Sequence, residues 1–393
     1  MRIFIVHNFY QHAGGEDTVF RQDVQELGKR HELEVFTRKN SKGWKGLLQY
    51  LFYPFNLLAG REIAKCARRF RPDVVHVHNL HYAIGPWAVR RLHRLGVPVV
   101  MTLHNYRLLC PSATLFVRGK LFERSLNEVF PWTAVKNRAL EKSLAKTFLT
   151  GFAYWSHRKI GTWHGVSAFI VLSDFAKRMF EASTFPVPAD RFVVKPNAVA
   201  VERRGAERRG GFVYIGRLSE EKGIVPLLEA FAGLDAEIRI FGSGSLRNEV
   251  ESFASRHPNI RYEGFRDGNA LPKALARAEA LIVPSLWYEG MPMTVIEAFG
   301  QGTPVLASRI GILREMVVPL QTGLHFEPHS ATGIREAVRI WQEMDAPQKE
   351  RMRNNCRSEY EERYTVAESI KKLEKIYREA ITERKNHGNH HSG

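Results

Sequence analysis

The chain has 393 residues, 44% of them hydrophobic, and 58 Lys and Arg against 41 Asp and Glu, which gives a net charge of +17. That length exceeds one ordinary core and implies two domains of roughly 150 to 200 residues, while no charge-free apolar run reaches the ~18 residues of a membrane span and Arg2-Ile3-Phe4-Ile5-Val6 reads as a strand instead of a signal sequence, so a chain that stays in the cytosol is expected. Three scattered cysteines, Cys66, Cys110 and Cys356, indicate neither a disulfide framework nor a zinc site, and the excess positive charge implies a polyanionic partner, either an anionic membrane or a nucleic acid.

The first strand runs into a loop with Gly14-Gly15, followed by a helical pattern through Val19, Val24 and Leu27. Paired glycines at such a junction let backbone N–H groups approach a ligand closely, or simply make a tight turn. A second strand, Leu33 to Phe36, leads into a segment from Arg38 to Arg71 that holds nine Lys or Arg and one acid, Glu62. Between its basic ends lies Leu47-Leu48-Gln49-Tyr50-Leu51-Phe52-Tyr53-Pro54-Phe55-Asn56-Leu57-Leu58. This stretch is too short to span a bilayer. It fits either an element lying in the headgroup region, its cations near anionic lipid, or a helix packed on the sheet.

The next strand, Asp73 to His78, carries His76 and His78 in alternation, so that one of them suits a core residue better than a ligand, and both stay outside the predicted site. After a helix near Pro86 to Leu95, the strand Val97 to Leu103 ends in His104, at the carboxyl end of a parallel strand, where open sheets place their active sites. Cys110 to Phe130 reads as a loop or flap, and Thr133 to Lys159 as one basic, aromatic helix. A strand at Ala168 to Leu172 and a helix capped by Ser173 or Asp174 complete this half. No histidine pair sits on an evident helix with metal-ligand spacing and a carboxylate nearby, and His390-His391 reads as a tail.

Val201 to Gly210 is charged and aperiodic, as linkers are. A new sheet begins at Gly211-Phe212-Val213-Tyr214-Ile215, followed by Gly216-Arg217-Leu218-Ser219-Glu220-Glu221-Lys222-Gly223. Arg217 and Lys222 set two cations near a helix start, where they would compensate a departing diphosphate. Further strands are expected at Glu237 to Phe241, Ile260 to Glu263, Ala280 to Ser285, Pro304 to Ala307 and Thr322 to Phe326, with helices at Thr332 to Met344, Pro347 to Glu361 and Val366 to Arg384. Between the strands at 280–285 and 304–307, Pro292 suits the first position of a helix that Gly300 and Gly302 end. Glu297, one turn in, can lean back toward the mouth that Glu289 occupies, so that two carboxylates face one cavity and each can hold a vicinal diol. That predicts a ligand with two sugars.

The pair Glu289/Glu297, the turn Glu289-Gly290-Met291-Pro292 and the run Glu297-Ala298-Phe299-Gly300-Gln301-Gly302-Thr303-Pro304-Val305 resemble the donor site of glycosyltransferase family 4. The resemblance implies an α/β protein of the GT-B fold, two Rossmann-like domains with parallel sheets facing an interdomain cleft. The domains are expected at 1–197 (acceptor) and 211–364 (nucleotide sugar), with a helix at 365–385 returning to the first. It further implies that Gly15, Gly216, Arg217, Lys222 and the helix start at Met293 and Thr294 meet the diphosphate. Glu297 would hold the ribose, Glu289 with Gly290, Met291, Pro292 and Met293 would orient the donor sugar, and His104 would lie beside the reacting carbon.

The expected activity is retaining transfer of a sugar from a nucleoside diphosphate to a lipid-linked or oligosaccharide acceptor. Surface polysaccharide synthesis, by an enzyme peripheral to the cytoplasmic face of the membrane, is the expected setting. No cofactor is expected, the nucleotide sugar being a substrate. The chain has no Asp-x-Asp, so a metal clamp has no obvious ligands. A sugar-nucleotide 2-epimerase of the same architecture is the nearest alternative. A nucleic-acid partner is disfavoured, since no helix-turn-helix, zinc finger or RNA-recognition motif occurs.

Overall fold

A computed structural model describes residues 1–11, 14–202, 204, 211–266, 268 and 270–389. Most of the expected linker, part of the glycine loop and His390-His391 lie outside the described residues. The chain divides into two compact units: Met1–Leu115 with Phe122–Asn197 and Ser369–Gly393, and Ala198–Glu368 with Phe116–Leu121. The first unit is therefore not one unbroken stretch from 1 to 197.

The first unit runs β1 (Arg2–Phe9), α1 (Gly15–Gly28), β2 (Glu32–Lys39), α2 (Gly43–Phe52), α3 (Leu57–Phe70), β3 (Val74–Val77), α4 (Trp87–His93) and β4 (Val99–Leu103). After a small hairpin that belongs with the second unit, β5 (Phe116–Val117) with β6 (Lys120–Leu121), the first unit resumes with α5 (Trp132–Lys136), α6 (Leu144–Lys159), β7 (Ala168–Val171), α7 (Asp174–Glu181) and β8 (Phe192–Val194). Its main sheet is parallel, in the order β2-β1-β3-β4-β7-β8. β3, β4 and β7 are buried along their whole length, which is why they read as continuous apolar runs: helices cover both faces of such a sheet.

One expectation for this unit is corrected. The stretch from Thr133 to Lys159 is two helices, separated by turns in which Arg138, Glu141 and Lys142 take positive φ. None of the three is Gly or Asn, so composition gives no hint of the break. The segment 38–71 also divides: α3 packs through Ile63, Ala64, Ala67 and Phe70, whereas α2 buries only Gly46 and Tyr50. The Tyr50 hydroxyl meets Thr150 on α6 and donates to the Lys146 carbonyl at 2.9 Å, which anchors α2 to α6.

The second unit runs β9 (Phe212–Ile215), α8 (Ile224–Phe231), β10 (Ile238–Phe241), α9 (Arg247–Arg256), β11 (Ile260–Gly264), α10 (Ala270–Arg277) and β12 (Ala280–Val283). It continues with α11 (Met293–Gly300), β13 (Val305–Ser308), α12 (Leu313–Met316), β14 (Gly323–Phe326), α13 (Ala331–Glu343) and α14 (Ala346–Arg363). The last helix is α15 (Val366–Asn389), which from Ser369 on belongs with the first unit. The second sheet is again parallel, in the order β11-β10-β9-β12-β13-β14. Each unit is thus a doubly wound sheet whose strand ends form one rim.

Candidate active site

In the second unit, β9 and β12 are neighbours, so the loop after each meets the other at the carboxyl rim. The Leu286 N–H donates to the Glu221 carbonyl at 2.9 Å and joins the two loops. Gly223 makes this approach possible: it has φ +70°, and a Cβ there would fall 1.8 Å from the Pro284 carbonyl oxygen. Gly242, at φ +149°, likewise presses on the Gly216 carbonyl, where a Cβ would come within 1.9 Å.

This juncture brings Lys222 onto Glu289. The Lys222 ammonium donates to Glu289 Oε1 at 2.7 Å, and the Ser285 hydroxyl donates to the same oxygen at 2.6 Å. Glu289 is buried. Burial alone would raise its carboxyl, but the Lys222 charge and the hydrogen bonds outweigh that and hold it below the ordinary range. Trp287 flanks both cations, with its ring 5.2 Å from Lys222 Nζ and 6.0 Å from the Arg217 guanidinium. Arg217 is exposed and 3.3 Å from Glu221. The sequence placed Lys222 and Glu289 at one site but gave no sign that they pair, and it missed Ser285.

Pro292 caps α11 instead of occupying its first turn, and the helix begins at Met293. The N–H groups of that first turn, Met293 and Thr294 among them, have no helix carbonyl within reach. Glu297 lies one turn in, half-buried, and burial pushes its carboxyl up to about 7. The two acids therefore differ: Glu289 is a fixed anion, and Glu297 sits near the balance between its two forms at neutral pH.

In the first unit His104 follows β4 and lines a pocket with Glu16, Asn79, Arg107 and Tyr154. Burial first, then the charges of His7 and Lys195, lower His104 to about 3, so it is neutral at physiological pH. Gly15 opens α1, whose first turn holds Glu16 and Asp17. Asp17 is engaged, accepting from the Gly14 N–H at 3.2 Å and pairing with His7 Nε2 at 2.9 Å. Glu16 accepts from Asn79 at 3.1 Å, and burial raises its carboxyl to about 8 against the pull of Arg107. A neutral Glu16 removes one of the two acidic charges of that first turn and so lessens repulsion of an anion. Glu16, Asn79 and Arg107 escaped the sequence reading because they come from three separate segments.

The family models account for both halves. "Glycosyltransferase Family 4" matches residues 13–203, and "Glycosyl transferases group 1" matches residues 202–359. The chain belongs to glycosyltransferase family 4. Alpha-D-kanosaminyltransferase of Streptomyces kanamyceticus is 26% identical to this transferase over 327 residues, 79% of each chain. Glycogen synthase of Mycobacterium tuberculosis is 28% identical over 285 residues, which are 69% of the transferase but 60% of that longer chain. Among solved structures, HepE of Anabaena in complex with UDP has a TM-score of 0.69 at 16% identity, covering 96% of the transferase and 100% of HepE. Sucrose-phosphate synthase of Thermosynechococcus elongatus has a TM-score of 0.70 at 15% identity, covering 97% and 99%. These likenesses establish the GT-B fold for the transferase, and among its described residues no helix is long and apolar enough to cross a membrane.

Proposed function

We propose that the chain is a retaining transferase that moves a sugar from a nucleoside diphosphate to a lipid-linked glycan at an anionic membrane surface, in the synthesis of a surface polysaccharide. The observation that carries the donor half is the Glu289 carboxylate fixed by Lys222 and Ser285 beside the start of α11. A nucleotide-sugar donor also agrees with a structural relative, HepE, whose crystals hold UDP or UDP-glucose.

In this reading Arg217, Lys222, Gly216 and the first turn of α11 at Met293 and Thr294 take up the diphosphate charge as it develops. Glu297 accepts hydrogen bonds from the ribose diol, while Glu289 and the backbone from Gly290 through Met291 and Pro292 to Met293 orient the donor sugar. The acceptor hydroxyl attacks the anomeric carbon on the face the diphosphate leaves. The bond from that carbon to phosphate oxygen breaks, and the hydroxyl proton passes to the departing phosphate. No side chain is assigned as a nucleophile. His104, neutral, accepts a hydrogen bond from a sugar hydroxyl. With no Asp-x-Asp, the cationic side chains stand where other sugar-nucleotide enzymes hold a metal.

The membrane half rests on α2. Its solvent face is apolar: Trp44 is 68% exposed and Phe52 63%, with Leu47, Leu48 and Leu51 between them, and Leu58 at the start of α3 is 68% exposed. The patch continues across Phe55, Phe152 and Phe148 to Trp132, whose rings follow one another at centroid separations of 6.5, 6.4 and 6.3 Å. Exposed Lys42, Lys45, Arg61, Lys65, Lys142 and Lys146 come from the same elements and their flanks. A continuous apolar surface with a cationic border suits an anionic bilayer.

The test uses the purified chain in excess EDTA, with UDP- and GDP-sugars and a polyprenyl-diphosphate glycan in vesicles. Transfer with the donor's anomeric configuration kept in the product, read by NMR, is expected. An inverted product would contradict retention, a strict Mg or Mn requirement would contradict the cationic clamp, and an isomerised donor in the absence of acceptor would identify an epimerase.

A further inference from the structure

The first unit carries a group of histidines around its rim that the donor side does not use. His7 lies on β1, His76 on β3, His78 one residue past β3, and all three are buried. His76 is fully engaged, with Nε2 2.7 Å from the Thr102 hydroxyl and Nδ1 2.7 Å from the Tyr377 hydroxyl. A neutral imidazole has one N–H and one lone pair, so His76 has nothing left for a metal, although Asp23, His76 and His78 bring ligand atoms within 4.8 Å of one another. His7 is committed to Asp17.

His78 differs. Its Nδ1 is 3.2 Å from Nε2 of His104, with the two ring planes inclined by 17°. Its Nε2 faces Asp23 Oδ2 at 3.7 Å. That is ion-pair distance and longer than a hydrogen bond, and among the described residues His78 Nε2 has no hydrogen-bond partner, nor has the second carboxyl oxygen of Asp23, Oδ1. Burial pushes the Asp23 carboxyl up and Lys195 opposes it with a buried positive charge.

The direction of the proton follows from what each group can do. An ionised carboxylate only accepts, so against Asp23 in its ionised form the facing edge of His78 carries N–H at Nε2. Burial keeps His78 neutral, so its Nδ1 is then a bare lone pair. That lone pair can meet His104 favourably only if His104 carries its own proton on Nε2. The nitrogen of His104 left for a ligand in the pocket is Nδ1, without a proton. The opposite arrangement would set the bare Nε2 of His78 against the carboxylate.

We propose that Asp23 and His78 are positioning residues that fix the tautomer of His104, so that the pocket presents a bare nitrogen and accepts a hydrogen bond from a sugar hydroxyl. Groups that only accept, such as phosphate oxygens, are then disfavoured at that point. The proposal rests on the reading of this pocket as a sugar site.

Histidine ring nitrogens labelled with 15N give the direct test, with signals assigned through His78→Gln and His104→Gln. The unliganded wild type is expected to show His104 protonated at Nε2 and bare at Nδ1. Asp23→Asn keeps the shape but can donate to His78, which should reverse both rings and lower kcat about tenfold, one hydrogen bond's worth, with the KM for nucleotide sugar unchanged. A wild-type His104 protonated at Nδ1 would overturn the proposal, as would an Asp23→Asn protein with both ring patterns and kcat unaltered. The ring-nitrogen measurement needs no substrate. Correct tautomers in a protein that transfers no sugar would therefore sink the functional reading and leave the relay standing.

Discussion

Glu289→Gln is expected to lower kcat/KM for transfer by about 10²- to 10³-fold, the scale on which one preorganised electrostatic contact acts. The same change leaves Lys222, only 20% exposed along its side chain, without its anion. Removing one partner of a buried pair costs up to about 3 to 5 kcal/mol, and solvent at Lys222 should soften that. Stability and activity can then be separated. Lys222→Met alone strands the carboxylate, whereas the double variant Lys222→Met with Glu289→Gln removes both charges. The double variant should regain most of the midpoint of urea unfolding while remaining inactive. Turnover in Glu289→Gln equal to wild type would remove Glu289 from the site, and recovered turnover in the double variant would reduce the pair to a structural element.

Replacing Trp44, Leu47, Leu51 and Phe52 by Ser should reduce binding to anionic vesicles by more than about 100-fold. Each large apolar side chain contributes on the order of 1.5 to 3 kcal/mol when taken from water, so four partly inserted ones exceed that factor. Because α2 buries only Gly46 and Tyr50, these changes leave the core intact and the melting temperature should move little. Reversing Lys42, Lys45 and Arg61 to Glu should weaken binding to anionic vesicles much more than to neutral ones, since each cation near such a surface contributes about 1 kcal/mol. Flotation that is equal for both vesicle types, or unchanged in the four-residue variant, would contradict the docking surface.

Much of the fold could be read from the chain because parallel strands covered on both faces leave continuous apolar runs. Ala280 to Val283 and Val305 to Ser308 bracket α11 as the pattern required. The donor-side residues were legible for a related reason: Gly216 to Gly223 and Glu289 to Glu297 are contiguous loops whose chemistry is local. Pairings across strands were not. Lys222 and Glu289 meet only because β9 lies beside β12, and His78 reaches His104 only because β3 pairs with β4, with Val77 opposite Met101. Strand order is a property of the whole sheet, so alternation alone left His78 outside the site. The break between α5 and α6 was hidden for another reason, since left-handed turns at Arg138, Glu141 and Lys142 are imposed by packing on residues with no preference for them.

The most direct test of the central claim is a crystal of the chain soaked with UDP or GDP. The account predicts the diphosphate on Arg217, Lys222 and the first turn of α11, with the ribose diol on Glu297. A nucleotide bound away from the Gly216 to Gly223 loop and Glu297, or no binding by either nucleotide at millimolar concentration, would contradict it.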